Sequence, residues 1–331
     1  MRKIIVQHDT ARYRKISCKA ADLPLYFRDF WLDAVCLGGE WNGLIATDEK
    51  DQPLAILPVF VKKKLGIPYV TMPPLTPYLG IWLLKPTLYS TGNTSAFYKL
   101  VNAFIPFLQR YFFIRMKMHP GFGNWLPFYW KGYTQKTYYI QIIDLKSWKN
   151  EQDFFSQLSN SVRKKIRSAA RKTDVETTKN VDDFYKAWTG SFERQQLNPP
   201  LSLSFYQHLY SRLEAHTEIV LFIFIDKSSR DICGSRFVCI DHRTRSAYSL
   251  GMGQDYKVSP AGMGQFMQWM TIKHAIGKCT NFNLGGSMLE GVHHFNQQLN
   301  PRVVPYFVLE KFRWKWMEKA VSGGRLISVA Y

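Results

Sequence analysis

Residues 219–240 read IVLFIFIDKSSRDICGSRFVCI. Two apolar runs flank a polar turn from Asp226 to Asp231, which is the signature of a β-hairpin. A basic turn, His242 to Arg245, comes next and leads into a third strand-like run, SAYSLGMGQ. The helical segment GMGQFMQWMTIKHAI (262–276) follows, and then another short strand, NFNLGG (281–286). The same order occurs earlier in the chain. NGLIATDEKDQPLAILPVF (42–60) turns at Asp48 to Gln52, and a basic turn at Lys62 to Lys64 leads to PYVTMPP. The helical SAFYKLVNAFIPFLQRY (95–111) and the strand IRMKMHP (114–120) complete the set. Three strands, a helix and a strand, twice over, predict an α/β protein of mixed sheets in two duplicated domains, 1–145 and 146–331.

The second copy is expected to carry an extra helical segment at 150–217. In DFFSQLSNSVRKKIRSAARKT the apolar Phe155, Leu158, Val162, Ile166 and Ala169 recur at helical spacing. Lys and Arg fill much of the stretch from Arg163 to Lys172, with no acid among them. Arg163, Arg167 and Arg171 share one helical face with Lys164 beside it, either as a solvated face or as a contact for phosphates and lipid headgroups.

Composition points the same way. Hydrophobic residues are 46% of the 331 and aromatics 15%, enough for two packed cores and too much for a disordered chain. Lys and Arg number 44 against 25 Asp and Glu, an excess of +19 that favours a polyanionic neighbour such as nucleic acid, an acidic membrane surface or a phosphorylated small molecule. Cys18, Cys36, Cys233, Cys239 and Cys279 are scattered without a C-x-x-C pair, which suits a reducing cytoplasm and argues against a zinc site. The uncharged stretch 65–84, LGIPYVTMPPLTPYLGIWLL, is broken by Pro68, Pro73, Pro74 and Pro77, so it is expected to form strands and a loop rather than a membrane span. A cytoplasmic protein without a transmembrane segment is the expectation.

NSVRKKIRSAARKTDVE opening the second half, and FNLGGSMLEGVHHFNQQLNPRVVPYFVLEK near the end, resemble the Fem-type peptidyltransferases. These are a branch of the GNAT acyltransferase superfamily built from two GNAT domains. PPLTPYLG (73–80), which contains Tyr78, and HPGFGNWLPFYWKGY (119–133) are similar to other bacterial members of that branch. The resemblance implies transfer of an acyl or aminoacyl group to an amine. Fem enzymes draw on aminoacyl-tRNA and extend a peptidoglycan precursor, whereas ordinary GNAT enzymes draw on acyl-coenzyme A. Both donors are polyanions. Where the Fem-type pattern has Phe-Lys and then Phe-Gly, this chain has Phe295-Asn296 and Leu299-Asn300, so the lysine charge is missing. The GNAT pyrophosphate loop is matched in part by VSPAGMGQ. Ala261, Gly262, Met263, Gly264 and Gln265 take its place, with Ser259 where Gln or Arg is usual.

Direct acyl transfer asks only for positioning, an oxyanion stabiliser and a proton acceptor. No G-x-S-x-G elbow, H-E-x-x-H spacing or other metal signature occurs. In FNLGGSMLEGVHHF (282–295), Gly285, Gly286, Ser287 and His294 are candidate substrate contacts, and Glu290 is a candidate base. The S-x-x-E spacing of Ser287 and Glu290 equally predicts a capping box. Tyr248 is a second catalytic candidate, at the end of the strand that meets the acyl group in GNAT folds, or else an ordinary strand aromatic. Arg194 and Gln195 could grip an anion or cap the preceding helix, and Tyr78 is placed with the substrate. The site is expected in a cleft formed mostly by the second half. A degenerate pair of domains that binds an envelope precursor without catalysis is the alternative. An RNA-binding protein has only the charge in its favour, since no RNP-type aromatic pattern is present.

Overall fold

Both hairpins form at the residues that predicted them, each as an antiparallel pair of strands. The computed structural model describes residues 3–86, 94–193, 195–286 and 288–313. The chain divides into two compact units, residues 1–138 with 305–331 and residues 139–304.

Unit 1 opens with β1 (Ile5–His8), α1 (Thr10–Lys19), a 3-10 turn (Leu25–Phe27) and α2 (Asp29–Val35). It continues with β2 (Glu40–Thr47), β3 (Pro53–Lys64), β4 (Ile67–Thr71), the short β5 (Trp82–Leu83), α3 (Thr94–Leu108), β6 (Phe113–Lys117) and α4 (Leu126–Tyr129). β7 (Thr134–Asp144) begins in unit 1 and ends in unit 2. Unit 2 then runs through α5 (Glu151–Gln157), α6 (Asn160–Lys172), β8 (Thr173–Thr178), α7 (Val181–Glu193) and α8 (Leu203–Leu213). β9 (Glu218–Asp226), β10 (Ile232–Asp241), β11 (Ser246–Gln254), α9 (Met263–Ala275), β12 (Asn281–Asn283) and α10 (Glu290–Gln297) complete it. The last strand, β13 (Arg302–Phe312), returns to unit 1 from Pro305 onward.

The repeat is complete in topology. β1 and β8 each precede two helices and lie antiparallel to the first strand of the hairpin, β2 or β9. The third strand pairs antiparallel with the second, β4 on β3 and β11 on β10. After the next helix the chain comes back parallel to that third strand, β6 on β4 and β12 on β11.

Two expectations on boundaries are corrected. Residues from Pro305 belong to the first unit, because β13 pairs with β6 from Val308↔Lys117 to Phe312↔Phe113 and Leu309 joins the core under α3. The segment 150–217 is not wholly helical. Its TDVETT run, rich in β-branched residues, forms β8 against β9 instead.

Each face of the unit 2 sheet has its own packing. On one side Phe266, Met267, Ile272 and Ala275 of α9 lie on Phe222, Phe224, Val238 and Ile240. Val162, Ile166 and Ala169 of α6, the residues read as its apolar stripe, complete that core. On the other side Phe184 of α7 meets Phe237 of β10 edge-on at 5.4 Å, and Trp188 meets Tyr206 of α8 at 5.0 Å. The cysteines are all free thiols, and four of them are buried. The stretch 65–84 forms β4, a loop and β5. No helix among the described residues is long and apolar enough to cross a membrane.

His119, in the loop after β6, shows how unit 1 uses a half-buried polar group. Its ring lies 5.1 Å from Trp82 and 6.0 Å from Phe27. Nε2 lies 3.0 Å from the Ile81 carbonyl, and Nδ1 accepts from the Gly121 N–H at 3.1 Å. Donation from Nε2 and acceptance at Nδ1 satisfy the neutral ring completely. Burial lowers its pKa to about 4, with the bond to Ile81 opposing. Above about pH 6.5 this neutral ring contributes fully to stability. As pH falls from there toward 4, the unfolded chain takes up a proton that the folded protein refuses. Up to about 3 kcal/mol of stability is lost over that window. Urea unfolding in this range should steepen for the wild type and flatten for His119→Gln, and equal slopes would refute the assignment.

Candidate functional site

β11 and β12 are paired at only three positions, Ser246↔Asn281, Ala247↔Phe282 and Tyr248↔Asn283. β12 then stops while β11 runs on to Gln254, so among the described residues the edge of β11 that faces away from β10 has no strand beside it beyond Tyr248. A bulge sharpens the divergence: Phe237 faces Gly251 and Val238 faces Ser249, leaving Leu250 as the extra residue. Parting parallel strands expose backbone N–H and C=O groups in a notch within unit 2.

The first turn of α9 meets β11 in its unpaired stretch, where a Cβ on Gly264 would lie 3.5 Å from Met252 Cε. Gly262, its N-cap, has φ +87°, and no side chain caps the helix. Among the described residues the N–H groups of Met263 and Phe266 are bonded to Pro260 and Gly262, while those of Gly264 and Gln265 have no acceptor. Two free donors and the positive end of a helix dipole are what binding an anion requires. The glycines have a second purpose. A Cβ on Gly262 would come within 2.5 Å of the Lys165 carbonyl on α6, and one on Gly264 within 2.9 Å of the Phe295 ring on α10. The turn is therefore clasped between those two helices.

A thread of buried amides, not foreseen from the sequence, crosses the core beneath. Gln268 Nε2 of α9 donates to Asn296 Oδ1 of α10 at 2.8 Å, and Asn296 Nδ2 donates to Gln141 Oε1 of β7 at 2.9 Å. Gln141 Nε2 donates to the His293 carbonyl at 3.3 Å. The Gln141 backbone also brackets the glycine corner, accepting from Leu284 N–H at 2.9 Å and donating to the Gly285 carbonyl at 3.1 Å. Arg236 of β10 lies in the same layer, 2% exposed. Its Nη2 donates to Thr271 Oγ1 at 3.5 Å, and among the described residues its Nε has no hydrogen-bond partner, nor has Gln268 Oε1. Burial alone lowers the guanidinium pKa to about 10. Sequence reading passes over these residues because polar side chains in isolation carry no pattern; only the fold brings them together.

The predicted residues divide among several places. Tyr248 is buried on the last paired rung before the notch. Gly285 has φ +84° with open space where a Cβ would stand, and its N–H donates to Asn283 Oδ1 at 2.8 Å. That conformation and that open flank are what a close backbone approach requires. Gly286 is exposed beside it. Met263 is buried in the core, Gln265 bonds Gln298 at 3.0 Å, and Ala261 is exposed.

Ser287 and Arg194 lie outside the described residues. The capping-box expectation is corrected, because α10 begins at Glu290 with Leu289 as its N-cap and no side-chain cap bond. Glu290 therefore sits in the first turn rather than three residues in. Its carboxylate is 89% exposed and lies 3.4 Å from His294 Nε2.

Gln195 donates to the Ser191 carbonyl at 2.9 Å, which makes it a cap for α7 in this structure. Tyr78 belongs to unit 1, packed edge-on to Tyr26 at 5.1 Å. Arg163 is tied to the Ser156 carbonyl and Asn160, whereas Lys164, Arg167 and Arg171 are exposed on α6. No cluster of His, Cys, Asp and Glu among the described residues could hold a metal ion. A cavity of about 410 Å³ in unit 1, bordered by His8, Arg14, Asp33 and Trp41, includes none of the predicted residues.

Residues 156–295 match the family described as acetyltransferase (GNAT) domain. No curated protein sequence matches the chain. Among solved structures, FemX superimposes with a TM-score of 0.67 at 12% identity, over 91% of this chain and 96% of FemX. A tandem GNAT protein from the clavulanic acid biosynthesis pathway gives 0.58 at 7% identity, over 95% and 99% of the two chains. L-PGS from Bacillus licheniformis gives 0.54 at 13%, over 90% and 93%. At such identities the likeness is one of fold. The family match spans the parting strands, the first turn of α9 and the glycine corner, so the stretch of this chain that is similar to a GNAT acetyltransferase domain lies in the second unit.

Proposed function

We propose that this protein transfers an acyl or aminoacyl group from a polyanionic carrier, acyl-coenzyme A or aminoacyl-tRNA, to an amine, and that unit 2 carries the reaction. The observation behind this reading is the pair of free N–H groups at Gly264 and Gln265, at the start of a helix flanked by the basic α6. Phosphates bound there would lay the acyl carbonyl along the unpaired edge of β11. N–H groups on that edge are suited to stabilise the oxyanion as the amine attacks, and the departing thiolate or ribose oxygen takes the proton. Glu290, exposed on the first turn of α10, is within the same unit but is engaged by His294.

Titration calorimetry with acetyl-coenzyme A tests the donor. Ala261→Glu is the informative variant, since a carboxylate at an exposed helix start does not disturb packing but repels phosphate. Acetyl-coenzyme A affinity should fall at least about tenfold with an unchanged melting temperature. If the wild type ignores acetyl-coenzyme A and binds charged tRNA with a steep salt dependence, the aminoacyl donor is the right one. Binding of neither would remove the proposal.

A second reading is favoured by Asn296. It stands where Fem-type enzymes place a lysine, and both ends of its amide are committed within the core. A binding protein without turnover would then retain donor affinity and release no free thiol.

A further inference from the structure

We infer that α6 and the start of α10 form a docking face for an anionic membrane. Lys164, Lys165, Arg167, Arg171 and Lys172 are exposed along α6, a helix with no acidic residue in its first turn. None of the five forms an ion pair with a described residue. The opposite side of the helix is anchored by Val162, Ile166 and Ala169, so the charges are held on a rigid element rather than a tail.

A second feature distinguishes a bilayer from a nucleic acid. Met288, Leu289 and Val292 are 55%, 53% and 41% exposed at the start of α10, an aliphatic group on the surface of a strongly charged protein. The two features flank one turn: Gly262 of α9 abuts the Lys165 backbone, and Gly264 abuts the Phe295 ring of α10. Phosphodiesters would use the basic side chains alone. A bilayer uses both, since headgroups attract the cations while aliphatic side chains leave water at the acyl boundary. One such signal gives weak and reversible attachment, and two together give a stable one. This inference stands apart from the acyl-transfer reading, because attachment does not require turnover.

Sedimentation with vesicles tests it, using phosphatidylcholine alone or mixed with phosphatidylglycerol. The full chain should sediment only with the mixed vesicles, and less so as salt rises. Lys164→Glu/Arg167→Glu/Arg171→Glu should weaken this at least about tenfold, and Met288→Ser/Leu289→Ser/Val292→Ser should weaken it several-fold. Melting curves check that both variants fold, with Lys164→Glu and Val292→Ser as milder single changes. Failure to sediment, or sedimentation that neither set alters, overturns the inference. So does tight binding of unfractionated tRNA that needs the basic set, if the serine variant matches wild type in both assays.

Discussion

Gly253→Ala should leave the protein largely unfolded at physiological temperature, the largest effect expected of any single methyl group in the chain. A Cβ at this position would lie 2.2 Å from Trp188 Cα and 2.8 Å from the Ala187 and Trp188 carbonyl oxygens. All three contacts are backbone, so no rotamer change can relieve them. The remedy is to move α7 away from β11. That would break the Phe184 and Trp188 packing and the bond from Ser235 Oγ to the Phe184 carbonyl, 2.7 Å. A loss of about 4 kcal/mol or more is expected, beyond the usual cost of overpacking. Gly123→Ala is the control, because it meets nothing within 4 Å and should shift stability by less than about 0.5 kcal/mol. Denaturant midpoints decide between them, and equal midpoints would falsify the close-approach account.

The second large effect is expected at Asn296. Asn296→Leu keeps the approximate volume but removes both of its hydrogen bonds, leaving Gln268 Nε2 and Gln141 Oε1 buried without partners. Each orphaned group costs about 1–3 kcal/mol, so the total should be about 2–6 kcal/mol. Asn296→Lys, which introduces the lysine of the Fem-type pattern, should be no better tolerated, since it places an ammonium at a site 7% exposed. Double-mutant cycles with Gln141→Leu measure the coupling, and additive losses would mean that the thread is not a unit.

The hairpins, α6 and the helix after β11 were legible because each is written in a short period, alternating in the strands and three-to-four in the helices. The glycines were only half legible. Gly251 and Gly253 read only as members of the strand-like run SAYSLGMGQ, yet a Cβ on either would strike Phe184 or the Trp188 backbone, so they let α7 approach. Ser287 and Glu290 had the spacing of a cap, but α10 starts two residues later than a box at Ser287 would need. Local spacing offers a cap; the burial of Asn296 and Leu299 against the core decides the register. The amide thread could not be read at all. Gln141 and Asn296 are 155 residues apart, and nothing local marks either as the other's partner.

The return of β13 to unit 1 also sets the order in which the halves can mature on the ribosome. Residues 139–304 are complete once Val304 has been made, while β6 still lacks the neighbour that covers its edge from Phe113 to Lys117. The later half can therefore close first, and the earlier half must wait with an open strand for residues 305–312 to emerge. A nascent chain stalled before Pro305 would expose that edge, and a chaperone that shields strands would find its client there. Splitting the gene once between the two copies would yield a first fragment that lacks its last strand, whichever side of β7 were chosen.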